Sequence, residues 1–313
     1  MIPMTNDHNS RLATPADSQR LLKLINLIQP HVPWDEEMLR WQFFEGPAGP
    51  AMVYVIEADS KIVAQYVAVP YKITIAGSKT VKAWMIQDVM THPDYRGQGM
   101  LHALGKQCLE AIHERGDYGF TFPNEKSAGS FRRTGWHRLC SVPLRSFGLA
   151  EFSDQSLTDS VLVEVKSASE LNLAKQPVEF GVERSEKYLT WRYAKPRQNY
   201  RLFNVADQGH VVLKKYNRDD GPIMHLCDVI VLGENRLSDV LTEVKSIAKS
   251  ENCQLLTAWL AEGHPYASAF DSAGLKLGEE LPVSIYVTGP ESASETLREA
   301  GNWHITQGDS DVY

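Results

Sequence analysis

Cysteine is scarce: the 313 residues hold four, Cys108, Cys140, Cys227 and Cys253, far apart and with no C-x-x-C pair. That excludes a disulfide framework and a clustered-thiol zinc site, and leaves buried free thiols as the ordinary reading. The 10 histidines are dispersed and no H-E-x-x-H occurs, so no metal is expected. Long apolar runs are missing as well. No window approaches the roughly 18 apolar residues of a membrane span, and the opening apolar stretch is too short, with acid too close behind, for a secretory signal. The expectation is a cytoplasmic protein with no membrane partner. Nor is there a block of Lys and Arg; the formal net charge is -7, which disfavours a nucleic-acid partner. Neither G-x-x-x-x-G-K-[ST] nor G-x-G-x-x-G appears, so both common nucleotide-binding loops are absent.

What the chain does have is the profile of a globular protein, 43% apolar and 23% charged with 16 scattered prolines. Its length suits two domains or one large one, and an internal repeat favours two. "EEMLRWQFFEGPAGPAMVYVIEADSKIVAQY" from Glu36 parallels "SEKYLTWRYAKPRQNYRLFNVADQGHVVLKKY" from Ser185, setting Leu39, Trp41 and Phe43 opposite Leu189, Trp191 and Tyr193. Further on, Asp88-Val89 aligns with Asp228-Val229, and each half closes on an aromatic-x-x-x-Gly, Phe131 to Gly135 and Phe270 to Gly274. Element order repeats too, which predicts two related α/β domains, residues 1–150 and 151–313, joined near residues 150 to 160.

In the first half, "SRLATPADSQRLLKLINLI" reads as a short strand, a cap at Thr14 or Asp17, and a helix burying Leu21, Leu22, Leu24, Ile25 and Ile28. Three or four Val-, Ile- and aromatic-rich strands follow, the last being "VKAWMIQDVM". Alternation along it predicts Asp88 on the face of Trp84, Ile86 and Met90. Leu101, Leu104, Cys108, Leu109 and Ile112 then mark the apolar stripe of a helix ending at Gly116. Between strand and helix stands "HPDYRGQGML", His92 to Leu101. A helix start leaves unpaired N–H groups, and Gly97 and Gly99 let an anion approach them without a Cβ in the way. Arg96 adds a charge-assisted donor. A merely flexible glycine loop is the competing reading.

That loop, preceded by "VMTHPDY" and followed by an amphipathic helix, resembles the pyrophosphate loop of the GNAT superfamily of N-acetyltransferases. The resemblance implies an α/β fold of two tandem GNAT-like domains, each a mixed, mostly antiparallel sheet flanked by helices. It further implies acetyl-CoA as co-substrate, held by Val89, Met90, Arg96, Gly97, Gln98, Gly99, Met100 and Leu101, with backbone amides from Gly97 to Leu101 on the pyrophosphate. Leu101 stands where the family often has Gly or Ala. "PNEKSAGSFRRTGW" is similar to a second family segment, which assigns Asn124 and Phe131 to the coenzyme as well. Lys126, Arg132 and Arg133 are candidates for its 3'-phosphate or a solvated helix face. At Phe131 much of the family has a tyrosine that protonates the leaving thiolate, and phenylalanine has no proton to give.

The second half lacks the arginine-glycine loop, "VLGENRLSDVL" standing in its place, and resembles the degenerate partner of tandem, Eis-like GNAT proteins. "SEKYLTWRYAKPRQNYRLF" and "NWHITQGDSDVY" resemble a tandem group associated with surface-polysaccharide clusters, which points to an amino sugar as acceptor. The reaction implied is transfer of an acetyl group to a primary amine of a small molecule by direct attack in a ternary complex, in a monomer or homodimer. Asp88 is the carboxylate nearest the expected thioester and the candidate base; its counterpart Asp228, in the half without the loop, supports a structural role instead. A carboxylate near the chain end, Asp309, Asp311 or that of Tyr313, is a further candidate. The competing functions are a non-catalytic coenzyme-binding protein and an aminoacyl transferase of the Fem type, although the Fem proteins lack the loop present here.

Overall fold

A computed structural model gives the fold, described over residues 10–75, 79–153, 160–206, 209–278, 283–289 and 299–313. The chain begins with β1 (Ser10–Leu12), α1 (Ser18–Ile28), α2 (Glu36–Phe43) and three strands, β2 (Met52–Ala58), β3 (Lys61–Ile75) and β4 (Lys79–Thr91). Then come α3 (Met100–Glu114), β5 (Tyr118–Thr121), α4 (Glu125–Arg133), β6 (His137–Val142) and β7 (Leu144–Gly148). Next are β8 (Leu162–Val165), β9 (Phe180–Val182), α5 (Glu186–Arg192), β10 (Arg201–Val205), β11 (Gly209–Tyr216) and β12 (Ile223–Val231). The chain closes with α6 (Glu234–Ser250), β13 (Leu255–Trp259), α7 (Ala267–Ser272), β14 (Lys276–Leu277), β15 (Val283–Thr288) and β16 (Trp303–His304). Two compact units result: Met1–Lys72 with Val81–Arg138 and Ile285–Ala293, and Ile73–Thr80 with Leu139–Ser284 and Ser294–Tyr313. Among the described residues no helix is long and apolar enough to cross a membrane, and no cluster of three His, Cys, Asp or Glu is placed to hold a metal.

One sheet runs β1-β2-β3-β4-β5-β15-β6. Its β2–β3 hairpin is antiparallel and its β4–β5 pair parallel. The cap foreseen at Thr14 or Asp17 is a capping box of both residues, with buried Asp17 bound by Arg11 and Arg20. Leu104, Cys108, Leu109 and Ile112 of α3 pack on Tyr54, Ile56, Trp84 and Ile86, the contact that sequence periodicity foretold. Each fully buried aliphatic side chain there contributes about 1.5–3 kcal/mol. Met100 joins that core, whereas Leu101, expected in the stripe, is only half-buried. β15 enters this sheet from far along the chain, pairing Tyr286, Val287 and Thr288 with Thr121, Phe120 and Gly119.

The other sheet runs β14-β7-β13-β12-β11-β10-β8, with α6 and α7 packed over its apolar face. The repeat is exact at the parallel pairs. Ala83 to Ile86 lie opposite Tyr118 to Thr121 in one sheet, and Ile223 to Leu226 opposite Leu255 to Ala258 in the other. Trp191, Tyr193 and Trp303 are core residues.

Charge is buried in the second unit. Arg184 pairs with Asp228 (3.1 Å) and Asp309 (2.9 Å), and Tyr193 donates to Asp228 (3.0 Å). Burial alone would raise the Asp228 carboxyl, but Arg184 and the nearby histidines hold it well below the usual range. Asp228 is therefore structural, and Asp309 is committed to the same cluster.

A histidine relay completes it. Nδ1 of His264 accepts the Tyr266 amide (3.0 Å), so its proton sits on Nε2 and is donated to His304 Nδ1 (3.2 Å). His304 then carries its proton on Nε2, 3.8 Å from Asp228. Burial lowers the pKa of His264 to about 2 and that of His304 as well. Unfolded histidine titrates near about 6.5, so below that pH the unfolded chain binds protons that the fold refuses. The histidines' contribution is complete above pH ~6.5 and is lost as pH falls toward their folded values, at up to about 1.4 kcal/mol per pH unit for each. Denaturation from pH 7.5 to 5 is expected to show this slope, and His264→Asn to flatten it; a profile level across that range would contradict it.

Candidate functional site

The cleft begins where β4 leaves β5. Their last pair is Ile86 with Thr121, whose hydroxyl donates to the Ile86 carbonyl (2.9 Å). Two residues later Asp88 adopts φ 48°, left-handed backbone that a non-glycine residue enters only at a cost. This bulge breaks the alternation. Trp84 and Ile86 face the α3 core, but beyond Asp88 it is Val89 that packs there. The expected common face of Trp84, Ile86, Asp88 and Met90 is therefore wrong, because one left-handed residue shifts the strand's phase. Asp88 does not line the cleft; Val89, Met90 and Thr91 do.

A short turn over Pro93–Tyr95 follows, with the Tyr95 hydroxyl donating to Asp59 (2.8 Å) and Arg96 Nε reaching Thr91 O (3.4 Å). Gly97 and Gly99 both stand in the left-handed region, at φ 78° and 76°. Space beside Gly97 is open: a Cβ there would meet nothing within 4 Å, so the glycine serves the backbone turn and the space around it. Gly99 is the N-cap of α3 and has no side chain to cap with. The first amide paired to the cap is that of Ala103, with Gly99 O (3.1 Å), so the amides of Met100, Leu101 and His102 have no partner along the helix axis. A helix start of this kind attracts anions through those amides and the helix dipole.

Around it lies a cleft of about 460 Å³, within the range of small-molecule sites. It brings together ten residues singled out in the sequence: Val89, Met90, Arg96, Gly97, Gln98, Gly99, Met100, Leu101, Asn124 and Phe131. Arg133 lines it, Arg132 does not, and the side chain of Lys126 lies outside the described residues. Asn124 spends its Oδ1 on capping α4 through the Ser127 amide (3.0 Å), which leaves its Nδ2. Phe131 is core as well as lining, edge-on to Trp136 at 5.6 Å.

Sequence reading missed Tyr66. Its ring lies 6.3 Å from that of Phe131 and against Gly105 of α3, where a Cβ would stand 3.2 Å from Cε2. Burial holds the phenol well above its ordinary pKa, so it stays protonated. A glycine inside an otherwise good helix was the available signal that something packs closely there.

The second sheet treats the same place differently. Its bulge falls between Val212 and Leu213, yet Asp228 is not left-handed. The Tyr266 hydroxyl donates to Val231 O (2.7 Å) and accepts from Val231 N (2.9 Å). One glycine does stand before α6, Gly233 at φ 90° as its N-cap, although no arginine-glycine loop precedes it.

Residues 9–138 match the family model of the acetyltransferase (GNAT) domain. Solved structures share the fold over most of the chain. A probable N-acyltransferase from Enterococcus faecalis is 13% identical with TM-score 0.69, matched over 90% of this chain and 71% of that one. A GCN5-related N-acetyltransferase from Anabaena variabilis is 15% identical with TM-score 0.65, over 89% and 72%. Eis1 from Mycobacterium abscessus is 12% identical with TM-score 0.58, over 80% and 65%. These likenesses are ones of fold. No curated protein matches it in sequence.

Proposed function

We propose that this chain is an acetyl-CoA-dependent N-acyltransferase acting on a primary amine of a small molecule, in a ternary complex. The observation that carries the reading is the coincidence, in one cleft, of the open amides of Met100 to His102 with the strand end freed from β5. The residues present suit a coenzyme. The amides from Gly97 to Leu101 would hold the anionic diphosphate, with Arg96 and Arg133 as cations beside it. The main chain of Val89 and Met90, past the last β5 pair, would bind the pantetheine arm in the manner of a strand. Bound acetyl-CoA supplies an activated thioester carbonyl. In this reading residues 1–150 carry the donor site, 151–313 form a degenerate partner, and an amino sugar is the acceptor suggested by the resemblance to polysaccharide-cluster proteins.

Phe131 supports a second reading, a coenzyme-binding protein without catalysis, because its ring supplies no proton to a leaving thiolate. One experiment separates the two. Calorimetry is expected to give a coenzyme A dissociation constant in the roughly micromolar to sub-millimolar range of enzyme substrates, and acetyl-CoA with a panel of amino sugars and other amines to release free thiol. Binding without amine-dependent thiol release leaves only the second reading, and no binding removes both.

A further inference from the structure

The cleft exists because β4 departs from β5, and that departure passes through Asp88, whose φ of 48° persists only if its surroundings hold it. What holds it comes from the neighbouring strand. Gln65 of β3 is wholly buried, and its Nε2 donates to the Asp88 carbonyl (3.0 Å). Its Oε1 is also buried and accepts no hydrogen bond among the described residues. A half-satisfied carboxamide is a liability in a core, where methionine would fill similar space without an orphaned oxygen. The bond to Asp88 is thus the one thing this side chain supplies that an apolar residue would not.

The second sheet provides the comparison. In the first, the His92 amide donates to Val63 O (2.8 Å), and counting along the ladder from that bond sets Gln65 opposite Met90, two residues past Asp88. In the second, His210 lies opposite Ile230, two residues past Asp228. His210 instead approaches the Asp228 carboxylate (Nε2 to Oδ2, 3.6 Å), Asp228 is not left-handed, and Tyr266 takes both main-chain groups of Val231. Pinned carbonyl and left-handed aspartate occur together in one sheet and, among the described residues, are missing together from the other.

We propose that Gln65 is a positioning residue for the donor: by holding the Asp88 carbonyl it fixes the bulge and so presents the main chain of Val89 to Thr91 to the coenzyme. This rests on reading the cleft as a coenzyme site. In the full chain, Gln65→Met is expected to weaken coenzyme A binding about tenfold, the scale of releasing one left-handed residue. Its thermal midpoint should stay within about 2 °C of the parent, since one orphaned oxygen is removed as another is made. Adding Asp88→Gly to Gln65→Met should restore affinity to within about threefold, because glycine enters positive φ freely. A merely structural glutamine would instead lower the midpoint, leave affinity alone and gain nothing from the glycine. A parent that binds with Gln65→Met binding equally well overturns this inference alone, as does a double variant without recovery. A parent that does not bind coenzyme A overturns the site reading as well.

Discussion

Gly99→Asp is expected to weaken coenzyme A binding at least about 100-fold, or ~2.7 kcal/mol, with Gly99→Asn losing about tenfold. Both side chains tolerate φ near 76° better than other residues, so both variants should fold. Both also carry an oxygen beside the amides of Met100 to His102, where the parent has no side chain to cap with. A carboxylate there occupies the amides and repels an incoming diphosphate as well, whereas the carboxamide only competes for the amides. The difference between the two therefore isolates the electrostatic part of donor binding, and it should shrink as salt is raised. Calorimetry at low and physiological ionic strength checks both effects. Affinity unchanged in Gly99→Asp would mean that the start of α3 is not where the anion binds.

How much of this was legible in the sequence depends on how local the signal is. The α3 stripe, the glycine hinge and the Asn124–Phe131 segment are set by spacing within one or two elements, and the structure gathers ten of those residues in one cleft. The repeat was legible because Asp-Val recurs at the same point of the same strand, and the paired registers agree across both sheets. Asp88 was misread because alternation presumes extended backbone throughout, and nothing in "MIQDVM" announces a left-handed aspartate. Gln65 and Tyr66 went unnoticed for a related reason. What matters about them is the residue opposite on another strand or helix, a contact fixed by register that no spacing within β3 reveals.

The placement of β15 was beyond sequence reading altogether, and it yields the second large effect. A chain ending after Ser153 retains all the residues of the cleft, yet it is expected to aggregate and to show no measurable coenzyme A binding. The reason lies in the first sheet, where β15 stands between β5 and β6. Its Tyr286 is buried with Trp84, Phe131 and Trp136, and Thr288 hydrogen-bonds His113 of α3 (2.8 Å). Gly119 of β5 is packed so closely that a Cβ would stand 2.7 Å from the Trp136 ring and 2.8 Å from Thr288. Without the strand, β5 exposes an unpaired apolar edge of the kind that templates aggregation, and the core loses an aromatic side chain whose truncation alone costs about 3–5 kcal/mol. Net stabilities of whole domains are only about 5–15 kcal/mol, so a sheet missing that strand has little left to hold the bulge and the start of α3 in place. Tyr286→Ala in the full chain makes the milder form of the same test, a lowered thermal midpoint with weakened coenzyme binding. Size-exclusion chromatography and calorimetry on the shortened chain decide the stronger form. A monomeric fragment with full-chain affinity would show that the first half holds its donor site without the distant strand.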